Sequence, residues 1–240
     1  MTNLASTVSF DDYSRKYDLL VKYSPPYQAI GRLIVDVLLK KYTNKSAFTV
    51  LDIGGGTGNF SKYLLDTFPK ASITLLEPNK NMLIIARKKL DHHEIKFVND
   101  TFENFEGKNT FDVLLCIHAL YLMPDSKRLI SRFKKFMNPS SIFIVCDIGQ
   151  EINVMDWTIY LIKENIKTNG IWKTLKLFLL SAEIKAANHT IQSKQVSGDL
   201  WRHDLNTFRL WFSKYYNVVD SITCYRGCSN FLSCEILKNG

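Results

Sequence analysis

Residues 50–60, "VLDIGGGTGNF", decide how the rest of the chain is read. A short run of branched apolar residues, "TVLDIG" (49–54), leads into Gly54, Gly56 and Gly58, and "NFSKYLLDTF" (59–68) follows with helical spacing. That order is strand, glycine turn, helix. Glycine lets the backbone turn at positive φ and approach a ligand closely, and a helix start offers free N–H groups beside it. Alone, G-x-G-x-G is also compatible with a tight turn. The context sharpens it: Glu77, 19 residues beyond Gly58, ends the next apolar run, "ASITLLEP" (71–78). There a carboxylate can accept two hydrogen bonds from ribose hydroxyls.

Outward from this loop, strand and helix alternate. "NKNMLIIARKKL" (79–90) reads as a helix, "IKFVND" (95–100) and "FDVLLCIHAL" (111–120) as strands, "SKRLISRFKKFM" (126–137) as a helix and "SIFIVCDIG" (141–149) as a strand. This rhythm predicts right-handed crossovers and a mainly parallel sheet covered on both faces. Before it, "PYQAIGRLIVDVLLKKY" (26–42) puts Ile30, Leu33, Ile34, Val37 and Leu38 on one helical face. After Gly149 two helices are expected, over 151–168 and 170–188, with "QVSGD" (195–199) a loop. A helix over 204–216 capped by Asp204 and two strands turning at Gly227 close the chain.

Composition bounds the function. The 240 residues are 46% hydrophobic, ordinary for one globular domain. No apolar run approaches the ~20 residues of a membrane helix, and the N-terminus lacks the pattern of a signal peptide. Five cysteines cannot all pair within one chain, which suits a reduced, cytoplasmic protein. Cys224, Cys228 and Cys234 match no paired zinc pattern, so no metal is expected and a buried apolar role fits them better. The net charge of +8 permits an anionic partner, but the basic residues are scattered as on solvated helix faces.

Two ligand classes fit the loop. A dinucleotide site has G-x-G-x-x-G and sets pyrophosphate on the helix N-terminus. Here Asp52 stands two residues before the first glycine. Its carboxylate would repel pyrophosphate and suits a cationic ligand. The arrangement resembles the class I S-adenosylmethionine-dependent methyltransferases, small-molecule type. "LDIGGGTG" (51–58) is similar to their first motif, "LLEPN" (75–79) to their second, "NDTF" (99–102) to the acidic third-strand motif, and "FDVLLCIHAL" to the fourth-strand motif. The likeness is close over 45–150 and loose beyond.

The resemblance implies a Rossmann-like seven-stranded, mainly parallel sheet with a C-terminal β-hairpin and a helical lid insertion. One domain is expected: cap helices over 1–44, the cofactor-binding core over 45–150, the lid over 151–200, and the terminal helix and hairpin over 201–240. It implies that Gly54, Gly56 and Gly58 line the methionine and ribose part of S-adenosyl-L-methionine, with Asp52 near its amino group. Glu77 would hold the ribose, Pro78 and Met82 flank adenine, Asp100 accept from the adenine amine, and Phe102 stack at the ring edge. Thr101 and Cys116 fall in the same motifs. Core packing remains open for Met82 and Phe102.

"SPPY" (24–27) has the form of the motif that holds a nucleobase amine in amino-methylating enzymes. There it ends strand four; here strand four ends in "CIHA", and one amphipathic helix fills the space before the glycine loop. The stretch is therefore read as a helix start, Ser24 at the N-cap and Pro25 at the first position.

Methyl transfer needs acceptor, methyl and sulfur in line, and water excluded. His118 is the candidate base, its intrinsic pKa being near neutrality, though a strand-end polar residue fits equally. Tyr121 stands close by in sequence. In "FDDYSRKYD" (10–18), Tyr13 and Tyr17 are four apart on a helical face and could cover the sulfonium. The aromatic content of the insertion suits an apolar or aromatic acceptor, methylated on O or N more readily than on C. "IWKTLKLFLLSAEIKAA" (171–187) could lie on an anionic membrane, but an apolar face packed on the domain is the expected arrangement. Other readings are an RNA or protein methyltransferase, which would need a basic rim, and a cofactor-binding protein that transfers no methyl. Nucleic acid is not expected as a partner, and either a monomer or a homodimer is compatible.

Overall fold

The computed structural model describes residues 14, 17–19, 22–107, 109–180 and 182–237. Seven strands form one sheet in the order β3-β2-β1-β4-β5-β7-β6. They are β1 (Thr49–Ile53), β2 (Ser72–Leu76), β3 (Ile95–Val98), β4 (Phe111–Ile117), β5 (Met137–Ile148), β6 (Tyr216–Cys224) and β7 (Ser229–Ile236). Pairs β1–β2, β2–β3, β1–β4 and β4–β5 are parallel, and β7 runs antiparallel to both β5 and β6. The order reverses between β1 and β4. The loops leaving those strands part to opposite sides, which opens a crevice at their C-terminal ends.

Helices α1 (Pro25–Leu39), α2 (Asn59–Thr67) and α3 (Lys80–Lys89) cover one face. Ile30, Ile34 and Leu38 of α1 are fully buried there with Leu64, Ala86 and Val50, as the spacing of the apolar residues dictates. The other face is covered by the short helix α4 (Ser126–Leu129), a 3₁₀ run (Ile130–Phe136) and α8 (Leu205–Ser213), through Phe133, Phe136, Phe208 and Phe212. Asp204 caps α8 by accepting from the Thr207 amide at 2.7 Å. Ser24 stands at the N-cap of α1 with Pro25 next, but its side chain makes no capping bond.

Between β5 and α8 lie three helices, α5 (Val154–Asn169), α6 (Ile171–Leu180) and α7 (Ala182–Ser197). This departs from the two expected. Residues 195–197, expected in a loop, close α7. On α6 the orientation is also reversed from expectation: Thr174 is buried, while Trp172 is 82% and Leu179 69% exposed. The helix lies with its polar Thr174 toward the body and its apolar stripe outward.

Candidate active site

A cavity of about 410 Å³ lies at the switch point of the sheet. Its floor is the glycine loop. Gly54 and Gly56 sit at φ 68° and 55°, values costly for any residue with a Cβ. A Cβ on Gly54 would come within 2.5 Å of the Ala119 Cβ, and one on Gly56 would project to 3.6 Å from the Met82 sulfur. Both positions therefore need glycine, the first for close packing and the second to keep the cavity floor open.

Glu77 rises at the end of β2. One carboxylate oxygen accepts from the Gly56 amide at 2.9 Å and the other from the Asn79 amide at 2.8 Å. Burial pushes its pKa up to about 7, against the lowering effect of these two bonds. Pro78, Met82, Asp100, Thr101 and Phe102 line the same side. Asp100 accepts from the Thr101 amide at 2.8 Å, which fixes the turn after β3. Phe102 also stacks on Phe133 at 4.4 Å, so it serves the core and the cavity wall together.

The opposite wall is aromatic. His118 follows β4 at φ 51°, an unusual conformation for a residue with a Cβ. Its Nε2 lies 2.9 Å from Ser229 Oγ. It lines the cavity, and burial pushes its pKa down to about 3. Its ring meets Tyr27 and Tyr225 edge to face, at 6.3 and 4.8 Å. The Tyr17 and Tyr27 hydroxyls are 3.1 Å apart, and burial pushes the Tyr17 pKa up to about 12. Tyr121 completes this wall; its amide donates to Asp147 Oδ1 at 3.3 Å, while Trp201 Nε1 donates to Asp147 Oδ2 at 2.9 Å.

Three sequence candidates do not line this cavity. Asp52 is buried behind the loop, where it accepts from Ser61 Oγ at 2.6 Å; burial pushes its pKa up to about 6. Gly58 is the left-handed N-cap of α2. Cys116, within β4, points into the core. Tyr13 lies outside the described residues. Conversely, the sequence reading missed Tyr27 and Tyr225 as wall residues. Tyr27 belongs to the "SPPY" helix start: it stacks on Phe60 at 4.9 Å and reaches the cavity from the first turn of α1.

The N-terminal segment is tied to the loop by polar contacts. Asp18 accepts from Thr57 Oγ1 and from Lys89 Nζ, both at 2.7 Å, and Lys89 also donates to Asn59 Oδ1. This clasp holds Tyr17 over the cavity. No group of three or more His, Cys, Asp or Glu suited to a metal ion occurs among the described residues.

Comparison with known proteins bears on this geometry. The profile of a family described as a methyltransferase domain matches residues 44–209. A malonyl-[acyl-carrier protein] O-methyltransferase of Bacillus anthracis is 23% identical over 130 residues, 54% of this chain and 48% of that protein. The chain thus spans about half the length of that relative. An uncharacterized methyltransferase of Bacillus cereus is 27% identical over 159 residues, 65% of this chain and 73% of its own. Among solved structures, the N-methyltransferase NodS of Bradyrhizobium japonicum superposes with a TM-score of 0.64 at 12% identity, covering 98% of this chain and 97% of that one. Magnesium protoporphyrin IX methyltransferase of Synechocystis gives 0.64 at 13% identity, covering 98% of each. With the glycine loop, the strand order and a profile match over most of its length, the chain belongs to the class I S-adenosylmethionine-dependent methyltransferase family.

Proposed function

We propose that the protein transfers a methyl group from S-adenosylmethionine to a small acceptor that is largely apolar or aromatic, on oxygen or nitrogen. The observation that carries this reading is one cavity joining the glycine loop and Glu77 to a wall of Tyr17, Tyr27, Tyr121, Tyr225 and His118. The cofactor fits the residues present. Gly56 leaves the floor open, Glu77 offers a carboxylate at ribose height, and Asp100 lies beyond it for the adenine amine. Bound there, S-adenosylmethionine supplies a methyl activated by its sulfonium.

The chain's own residues hold, orient and exclude water. The tyrosine rings present their faces and edges to the reacting region and keep it dry. His118, neutral far below physiological pH, accepts or donates a hydrogen bond without carrying charge. A group of such low pKa is a weak base, so alignment of the acceptor supplies the larger share of the rate. Helices α5 to α7 act as the lid, with Ile152 just before α5 and Asn188 and Ile191 of α7 reaching the cavity rim. The enclosure favours a small acceptor over a polymer.

Calorimetric titration with S-adenosylmethionine and S-adenosylhomocysteine, with NADH as control, tests the cofactor. Micromolar binding of the first two, weakened at least tenfold in Glu77→Ala, is expected. A mass-spectrometric screen of phenols, amines and carboxylates for the gain of one methyl then tests the acceptor class. Binding of NADH alone overturns the cofactor reading. Methylation of RNA or protein but of no small compound overturns the acceptor reading.

A further inference from the structure

Beside the large cavity lies a second one, of about 110 Å³, lined by α5, α6, α7 and the segment just before α1 (Leu19, Tyr23 and Ser24). Ile152, Asn188 and Tyr225 line both cavities, so the two share a wall. Val154, Trp157, Leu161 and Leu177 make the second mostly apolar. Two polar groups in it lack a hydrogen-bond or ion-pair partner among the described residues. Ser24, 1% exposed, lines the chamber, and its Oγ has no hydrogen-bond partner among the described residues. An unpaired buried hydroxyl is destabilising, and a ligand oxygen would satisfy it. Lys185 also lines the chamber; its ammonium lies over the Phe178 ring, with no carboxylate in salt-bridge range among the described side chains.

We infer that this chamber seats the body of the acceptor, and that the acceptor class is an amphiphile with an apolar chain and a carboxylate or similar anionic group, held by Ser24 and Lys185. The inference rests on the methyl-transfer reading for its place in catalysis. The chamber's walls and polar groups stand without it. Burial lowers the Lys185 pKa, as expected of a cation lacking its counterion.

The test is calorimetric titration with octanoate and with 1-octanol, in the presence and absence of S-adenosylhomocysteine. Wild type, Ser24→Ala, Lys185→Met and the chamber-filling Thr174→Trp are compared, with circular dichroism to check folding. Octanoate is expected to bind wild type, about tenfold more weakly to Lys185→Met, several-fold more weakly to Ser24→Ala, and not to Thr174→Trp. Affinity for S-adenosylhomocysteine should be unchanged in all three. Absence of octanoate binding by wild type, or equal binding by wild type, Ser24→Ala and Lys185→Met, overturns the chamber. Octanol binding as tightly as octanoate overturns the anionic group. Loss of S-adenosylhomocysteine binding by wild type strikes the cofactor reading instead, and the titration without it still reads the chamber.

The outer face of α6 supports a second inference independently. Ile171, Leu175 and Leu179 stand at i, i+4 and i+8, with Trp172 beside them, and all four are exposed. The only charged residues of α6 are Lys173 and Lys176. A ten-residue helix, ~15 Å long, cannot span a bilayer. We propose that this face seats on an anionic lipid surface, the apolar stripe at the headgroup boundary and exposed Lys176, four residues after Trp172 and three before Leu179, toward the anionic headgroups.

Co-sedimentation with vesicles of phosphatidylcholine, alone or mixed equally with phosphatidylglycerol, tests it. Binding to the mixed vesicles only, reduced by salt and lost in Trp172→Ala/Leu179→Ser, is expected. No sedimentation, equal sedimentation with both vesicles, or full binding by the double variant overturns it. So does a lipid-free dimer that the double variant abolishes, with no vesicle binding.

Discussion

The Gly56 amide donates a 2.9 Å hydrogen bond to the Glu77 carboxylate, so the glycine loop and the acid at the end of β2 form one unit. In the proposed site, removing the carboxylate would therefore disturb both the ribose contact and the loop. Burial raises the Glu77 pKa to about 7, so its charge appears only near neutrality. The ionised carboxylate is the better acceptor for ribose hydroxyls. Affinity for S-adenosylhomocysteine is expected to rise from pH 6 to pH 8 in wild type and to stay flat, at least tenfold lower at pH 8, in Glu77→Gln. Calorimetry at three pH values checks this.

Gly54 and Ala119 are expected to be energetically coupled. A Cβ on Gly54 meets Ala119 Cβ at 2.5 Å and must also sit at φ 68°. The positive φ costs roughly 1–2 kcal/mol, and the clash adds at least as much. Gly54→Ala should lower unfolding free energy by about 3 kcal/mol. Adding Ala119→Gly should return about half of it, because only the clash is relieved. Urea unfolding of both single variants and the double variant gives the coupling.

Lys89, Asp18 and Thr57 clasp the N-terminal segment to the loop, with Lys89 Nζ and Thr57 Oγ1 each 2.7 Å from Asp18 Oδ1. Lys89 is mostly shielded from solvent but Asp18 is 42% exposed, so solvent partly screens the pair, and the clasp rests on its hydrogen bonds to Thr57 and Asn59 as well. Lys89→Met should leave the fold intact and release Tyr17 from the cavity mouth. The expected signs are faster protease cleavage near residue 18 and a three- to tenfold faster release of S-adenosylhomocysteine by stopped flow.

The glycine-loop side of the cavity, which the proposed function gives to the cofactor, was legible because its elements are local in sequence. A strand, a glycine turn and a helix start are contiguous, and Glu77 and Asp100 stand at the ends of strands that short apolar runs mark. The acceptor half was not. Tyr27 lies in the first turn of α1 and is brought to His118 by the packing of that helix on the sheet, whereas Tyr225 lies in a hairpin turn and is brought there by the pairing of β7 with β5. Asp52 looked like a ligand by position, yet Ser61 on the next helix claims its oxygen. Helix α7 had no clear apolar period to show that it runs to Ser197. On α6 a one-sided apolar stripe gave the right helix and the wrong face, since periodicity does not say which side is covered.

His118 should contribute no titration to methyl transfer between pH 5 and pH 8, because burial holds its pKa at about 3 and the ring neutral. Once an acceptor is found, the pH–rate profiles of wild type and His118→Gln should share one shape. The variant should lose rate, about tenfold, through the lost contact to Ser229 and the altered wall. A rate limb in wild type with apparent pKa 6 to 7 that vanishes in the variant would assign His118 as the base.

Asp52 makes the sharpest stability prediction. Its carboxyl is buried against Ser61, and desolvation raises its pKa from 3.8 to about 6. Between those values the folded chain binds the proton more tightly than the unfolded chain. The contribution of Asp52 to stability is therefore full below pH 4 and is lost as pH rises through 6. Asp52→Asn carries no such proton. The unfolding free energy of the variant minus that of wild type should grow in the variant's favour from pH 4 to pH 7, by about 3 kcal/mol for a shift of this size. Any constant cost from the altered bond to Ser61 cancels in that difference. Urea unfolding of both proteins at four pH values measures it. A difference independent of pH would place the Asp52 carboxylate in contact with water or a cation, and so return it to the cofactor site from which its bond to Ser61 now removes it.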